Sequence, residues 1–147
     1  MTGAWLPFAI LATSLLVSPL IFLLPEDRAR TRTALNIGAA IVKVALVAYL
    51  AWQVAFAGAA YEARLPLVPG IDLVLQADAL AVLFVSLSSV LWLLATIYAV
   101  GYLEGAANRS RFFGFFSLCV AATVGIAMAG NLLTFVLFYE ILTLATY

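Results

Sequence analysis

The sequence contains no histidine and one cysteine, Cys119, and only 10% of its 147 residues are charged. A single cysteine excludes a disulfide framework or a cysteine metal site built within this chain. It also contains no ligand cluster for haem or an iron–sulfur centre, no Gly-rich phosphate loop and no nucleophile beside a base, so we expect no cofactor and no catalytic site confined to the chain. Seven basic residues balance seven acidic ones, and no basic patch indicates nucleic acid as a partner.

Apolar residues make up 67% of the chain, and its mean hydropathy is +1.18. No water-soluble domain of this length can bury so much apolar surface. A helix needs about 20 apolar residues to cross a hydrocarbon core of about 30 Å, and the charges separate five such segments. The sequence therefore predicts an all-α integral membrane fold in a single transmembrane helical domain, 1–147, with helices near residues 3–24, 34–56, 79–103, 112–129 and 131–147.

Arginines indicate how these spans are oriented. Five of the six follow the first or the third span: Arg28, Arg30, Arg32, Arg109 and Arg111. Because Lys and Arg are retained in cytoplasmic loops, the N-terminus is predicted outside. Residues 57–77, which contain Pro66, Pro69 and Gly70, are predicted to be the least regular segment and to lie on the outer surface.

Small and hydroxylated residues predict how the helices pack. The fourth span repeats small residues at four-residue spacing, which lets another backbone approach closely: Ser117, Ala121, Gly125 and Ala129. Ser86, Ser89 and Thr96 share a face of the third span that can form hydrogen bonds between helices. Asp78 is expected to cap the start of that span. These features favour a helical bundle and specify no activity.

The fifth span carries one carboxylate, Glu140, with Thr143 and Tyr147 three and seven residues later on the same face. Glu140 follows Asn131 by nine residues, roughly 13 Å along a helix, which is near the bilayer midplane. Desolvation there raises the proton affinity of a carboxylate, and a nearby cation lowers it. Glu140 is therefore a candidate proton-binding group, with Thr143 and Tyr147 ordering water beside it. The alternative is a carboxylate that only ties helices together.

Lys43 is the second intramembrane charge and lies near the middle of the second span. Its matched depth suggests a pairing with Glu140 that would modulate proton transfer, although a long lysine side chain can also extend toward an interface.

From Asp78 onward, the stretches DALAVLF, ATIYAVGYLEG and RFFGFFSLCVAATVGIAMAGNLLTFVLFYEILTLATY resemble the start of the antiporter-like, proton-translocating membrane subunits. This family includes subunits L, M and N of the proton-pumping NADH:quinone oxidoreductase (complex I), subunits A and D of the Mrp Na⁺/H⁺ antiporters, and membrane subunits of energy-converting hydrogenases. The most specific element is Asn-Leu-Leu opening a helix with Glu nine residues later. The sequence around Phe138-Tyr139-Glu140 is most similar to the D branch of the Mrp antiporters.

The resemblance implies that Glu140 matches the fifth-helix glutamate of the family, whose charge couples to a lysine two helices later. It also implies a fold of about fourteen helices with two inverted five-helix repeats. This chain would hold the three leading helices and the first two of the first repeat, a truncated part of that fold. Because the fifth span ends without a basic flank, Tyr147 is expected to be an interruption, with the remainder supplied by a longer gene product or by another polypeptide.

The expected function is the N-terminal part of a proton-translocating subunit, moving H⁺ alone or in exchange for Na⁺. The expected partners are the lipid bilayer and other membrane subunits of an Mrp-type or complex I-type assembly in the bacterial inner membrane. In such an assembly the chain would be a non-redox proton-pumping subunit of an NADH:quinone oxidoreductase-type complex. The alternative is a small accessory or scaffold membrane subunit, or a non-functional fragment, with no proton path of its own.

Overall fold

The computed structural model describes residues 4–147, so residue 3, where the first predicted span begins, lies outside the described residues. Two short helices, α1 (Leu6–Leu15) and α2 (Val17–Leu23), together form the first span. Pro19 explains the joint between them, since its ring crowds the carbonyl of residue 15 and it has no N–H to donate to that carbonyl. The first span therefore consists of two helical segments that are interrupted at Leu16.

Four further helices complete the bundle: α3 (Ala29–Ala57), α4 (Ala79–Tyr102), α5 (Arg109–Ala127) and α6 (Leu132–Thr146). Within residues 4–147, the first span, α3, α4 and α5 are each long and apolar enough to cross a membrane. The 15 residues of α6 extend roughly 22 Å at 1.5 Å per residue. The predicted all-α integral membrane fold is confirmed, with one exception in the loop that follows α3.

Helix α3 begins at Ala29, five residues before the predicted start of the second span at residue 34. Ala and Arg favour helix, and no helix breaker follows Asp27, so the helix extends back through the arginines. As a result Arg32, which was counted among the loop arginines after the first span, is a buried helical residue, 1% exposed.

Residues 57–77, predicted to be irregular, form a β-hairpin of β1 (Tyr61–Val68) and β2 (Ile71–Ala77). The strands are antiparallel, with Tyr61 opposite Ala77, and the register shifts between Pro66 and Val68. Gly70 occupies the turn with φ +86°, a conformation that favours glycine. The prediction of an irregular segment was wrong because the proline and glycine residues mark the bulge and the turn of a hairpin.

Strand β2 holds the connection between α5 and α6. The Gln76 N–H donates to the Met128 carbonyl at 2.6 Å, and the Gly130 N–H donates to the Val74 carbonyl at 2.8 Å. The Val74 N–H donates to the hydroxyl of Thr134 at 2.9 Å. The short connection thus pairs with the sheet edge, and α5 and α6 form a tight antiparallel hairpin.

Asn131 joins the same hairpin to the start of α6. Its side-chain oxygen accepts from the Thr134 N–H at 2.8 Å and so caps the helix. Its side-chain nitrogen donates to the Asp72 carbonyl at 2.8 Å. One side chain therefore sets both where α6 begins and how it meets β2. Asp78 caps α4 as expected, accepting from the Ala81 N–H at 2.7 Å.

Helix α5 is central and contacts the first span, α4 and α6, while α3 packs against α1 and α4. Ser117, Ala121 and Gly125, which belong to the predicted small-residue stripe, are buried along α5. At Gly125 the backbone approaches the ring of Phe138 on α6. Ala129, the fourth member, lies beyond the end of α5 in a bridge to Leu75 of β2.

Candidate functional site

The polar stripe of α6 lies on the face of the helix that is turned away from the bundle. Thr134 and Phe138 are buried on the inner face, whereas Glu140, Thr143 and Tyr147 are exposed. The Thr143 hydroxyl donates to the Tyr139 carbonyl of its own helix at 3.0 Å, which leaves its oxygen lone pairs free to accept. The three predicted residues therefore share one accessible face.

Glu140 is the single acidic residue inside any of the six helices; the other six acidic residues lie in loops, in the hairpin or at a helix cap. Within residues 4–147 its carboxylate forms no hydrogen bond and no ion pair. A carboxylate on a membrane helix is costly unless it is paired, hydrated or protonated. The carboxylate is thus placed to take up a proton or to meet a partner outside the described bundle.

Lys43 lies in the interior, at the middle of α3, and is fully buried. Its ammonium donates to the Ser14 hydroxyl of α1 at 2.6 Å. It also stands 4.9 Å from the ring centroid of Trp92 on α4, a distance typical of a cation–π contact. Contacts with α1 and α4 hold the side chain in place, and it does not extend to an interface.

Lys43 and Glu140 are not brought together. Lys43 contacts α1 and α4, while α6 packs against α5 and β2. The ion pairs in the described part of the chain join Arg32 to Glu26 and Arg64 to Glu62 instead. The direct pairing suggested by matched depth is absent from this structure because Lys43 is held between α1 and α4, whereas α6 packs against α5 and β2.

The sequence analysis missed the buried polar face of α3, on which Arg32 and Asn36 lie with Lys43. Arg32 donates to the Ser110 hydroxyl of α5 at 2.8 Å, and the Ser117 hydroxyl donates to the Asn36 side-chain oxygen at 3.2 Å. The signal was present, since spacings of four and seven residues place three polar side chains on one helical face. Within residues 4–147, the hydrogen bonds between helices expected from the third span are not formed: Ser89 donates to the Val85 carbonyl of its own helix, and the Thr96 hydroxyl has no partner.

In residues 4–147 no group of three or more His, Cys, Asp or Glu side chains could hold a metal ion. Near the middle of the membrane helices, the structure places one exposed carboxylate, Glu140 on α6, and one buried cation, Lys43 on α3.

Sequence comparison finds relatives among the subunits of NADH- and NAD(P)H-quinone oxidoreductases. A family described as "NADH-Ubiquinone oxidoreductase (complex I), chain 5 N-terminus" matches residues 69–113. NADH-quinone oxidoreductase subunit L of Mycobacterium tuberculosis is 36% identical over 77 residues, covering 52% of this chain. The chloroplastic NAD(P)H-quinone oxidoreductase subunit 5 of Zygnema circumcarinatum is 26% identical over 117 residues, covering 77% of this chain.

These matches agree with the resemblance to the N-terminal part of the antiporter-like membrane subunits. A solved structure described as the membrane-bound sulfane sulfur reductase, an archaeal respiratory membrane complex, shares this fold with a TM-score of 0.75. That match covers 93% of this chain at 22% identity. The antiporter-like resemblance found in the sequence is thus confirmed, and the finer assignment to the D branch of the Mrp antiporters stays a prediction.

The chain spans only a small part of these antiporter-like relatives. It covers 17% of the chloroplastic subunit, 12% of the mycobacterial subunit and 21% of the chain in the solved structure. The matched region includes the hairpin strand β2, α4 and the start of α5.

Proposed function

We propose that this chain is the N-terminal part of a proton-translocating subunit in a multi-subunit membrane complex, with Glu140 as the proton-binding carboxylate. The observation that carries the proposal is the position of Glu140: it is the one acidic residue within the helices, eight residues into α6 and on an accessible face. Similarity to NADH-quinone oxidoreductase subunit L and to a chloroplastic NAD(P)H-quinone oxidoreductase subunit 5 supports the same function. We place the complex in the bacterial cytoplasmic membrane.

Neighbouring groups have supporting roles in this proposal. Thr143 and Tyr147 lie on the same face of α6 and order water that carries protons to and from the carboxylate. Lys43 modulates proton transfer at Glu140 from a distance, as a buried cation in the same bundle. Other membrane subunits of the complex cover the polar face of α6.

Glu140→Gln in the full assembly tests the proposal, because glutamine keeps the shape of the side chain and cannot ionise. Proton translocation is measured with a pH-sensitive dye in inverted membrane vesicles, and assembly is measured on native gels. A positioned proton-transfer group raises the rate of proton transfer about 10²-fold or more. The rate of translocation should therefore fall at least about tenfold in Glu140→Gln, while assembly is retained. Repeating the measurement with and without Na⁺ distinguishes H⁺ transport alone from Na⁺/H⁺ exchange.

Glu62→Gln is the matched control, since it removes the same charge from an exposed position on β1 of the hairpin. It should leave translocation unchanged. Native rates in Glu140→Gln would refute the proton-binding role. Loss of assembly in proportion to the loss of transport would instead favour the accessory or scaffold function, in which Glu140 anchors a partner helix.

A further inference from the structure

Helix α3 presents one continuous polar face to the bundle interior. Arg32, Asn36 and Lys43 lie four and seven residues apart, within about 40° of one another around the helix. All three are at most 1% exposed. The distance along the helix from the first to the last is roughly 16 Å. This face is separate from the stripe on α6, so the inference goes beyond the proposed function of Glu140.

The opposite wall of this interior is formed by α4, which runs antiparallel to α3. The Trp92 ring lies beneath the Lys43 ammonium, and Thr96 lies one turn further along α4, towards the level of Asn36. Both side chains are buried, at 1% and 0% exposure. With α5, whose Ser110 and Ser117 hydroxyls contact Arg32 and Asn36, the two helices therefore enclose polar groups between Arg32 and Lys43.

Four buried polar atoms along this interior have no hydrogen-bond partner in residues 4–147: Arg32 Nε, Asn36 Nδ2, Trp92 Nε1 and Thr96 Oγ1. The three nitrogens can only donate, and the hydroxyl can donate or accept. A buried donor without an acceptor is costly, and such atoms in native proteins are usually paired with protein or with ordered water. Two such atoms on α3 and two on α4, all lining the same interior, point to a ligand that supplies oxygen acceptors.

The end of this face near the loops borders a cleft formed by α3, the end of α4 and the start of α5. Arg32 lines this cleft of about 410 Å³ with Arg30, Glu104 and Arg109. At the same level, Glu26 lies 3.5 Å from the Arg32 guanidinium and accepts from the Ser110 N–H at 3.0 Å. Water can therefore enter beside the guanidinium, where the charges are already solvated.

We propose that a file of ordered water occupies the interior between α3 and α4, from the cleft at Arg32 to the ammonium of Lys43. Waters, which donate and accept, satisfy the four unpartnered atoms and hydrate a lysine at mid-helix. A single small anion could not do this, because the donors are spread over roughly 16 Å along α3. The path would let Lys43 exchange protons with the solution on the side of the Arg32 cleft.

Silver ion tests the proposal, since it is small, stays in water and reacts with ionised thiols. In native membranes containing the full complex, on a Cys119→Ala background, Thr96→Cys places a near-isosteric thiol in the path. Ile97→Cys, the next residue, is the control, because Ile97 is 53% exposed on the outer face of α4. Ag⁺ is added on the side of the Arg32 cleft, and the modified fraction of this chain is read by mass spectrometry. Since only a hydrated thiol ionises readily, Thr96→Cys should react about tenfold faster or more.

A second pair tests the deeper part of the path independently and serves if the first variant fails to assemble. Ala40→Cys lies between Asn36 and Lys43 on α3, where Ala40 is fully buried, and Val42→Cys is its control on the outer face. Faster reaction at residue 40 than at residue 42 is the expected result. If both interior thiols, in assembled complexes, react no faster than their outward-facing controls, the interior is dry and the proposal is wrong. Neither result depends on proton transport by Glu140.

Discussion

Gly125→Ala is expected to separate α6 from α5, because the two helices touch at this glycine. A methyl group built at Gly125 would lie 2.5 Å from Cδ2 of the Phe138 ring, and closer still to Cγ and Cδ1. Carbon atoms pack best at about 3.5–4.0 Å, so the ring or the helix must move by about 1 Å. Phe138 is 3% exposed and Gly125 is buried, which leaves little space for that movement.

Overpacking a well-packed site costs about 1–3 kcal/mol. Alanine favours helix over glycine by up to about 1 kcal/mol, which offsets part of this cost. Because three ring carbons are crowded at once, we expect a net destabilisation of about 2 kcal/mol. Unfolding of the purified protein by SDS, titrated from mixed micelles, measures this free energy.

Two further variants make the test specific. Gly38→Ala on α3 adds the same methyl where nothing lies within 4 Å, so it should be neutral or slightly stabilising. Phe138→Leu combined with Gly125→Ala should recover part of the loss, giving a coupling energy of about 1 kcal/mol or more. Gly125→Ala with native stability, or an equal loss in Gly38→Ala, would refute the close-contact reasoning.

Two other substitutions test buried polar contacts by the same unfolding measurement. Thr134→Val removes the acceptor of the Val74 N–H and should lower the free energy of unfolding by about 1–3 kcal/mol. Its control, Thr123→Val at an exposed site, should change that free energy by less than about 0.5 kcal/mol. Equal effects of the two variants would show that β2 is not held by Thr134. Lys43→Met replaces a buried charge with an apolar side chain of similar length and should be neutral or stabilising, while Lys43→Ala should lose about 2 kcal/mol or more through the cavity. Equal losses in both lysine variants would mean that the charge itself stabilises the fold.

The positions of the membrane spans could be predicted because they depend on local composition. A run of about 20 apolar residues has few alternatives to a membrane helix, and the charges that separate the runs are visible directly. Asp78 could be predicted as a cap for the same local reason, since a cap needs only its own side chain and the next turn. Helix boundaries were less accurate, as α3 shows by extending back through Arg32.

The hairpin could not be predicted from its own residues. Its strands bury residues such as Ala63 and Leu75 against the helices, and β2 pairs with the connection that leads into α6. These partners are distant in sequence, about 50–60 residues away in the case of Val74, Gly130 and Thr134. Strand stability depends on such neighbours more than on intrinsic preference.

For the candidate site, too, some features could be predicted from the sequence and others depended on tertiary packing. Periodicity along one helix was enough to place Glu140, Thr143 and Tyr147 on a common face, because a helix repeats every 3.6 residues whatever surrounds it. Which way that face points, and which helix Lys43 faces, depends on how the helices pack against each other. The sequence alone therefore specified the approximate positions of the apolar helices and the stripe on α6. Only tertiary packing buried Arg32, Asn36 and Lys43 together, because that arrangement depends on contacts with α1, α4 and α5 that no single helix encodes.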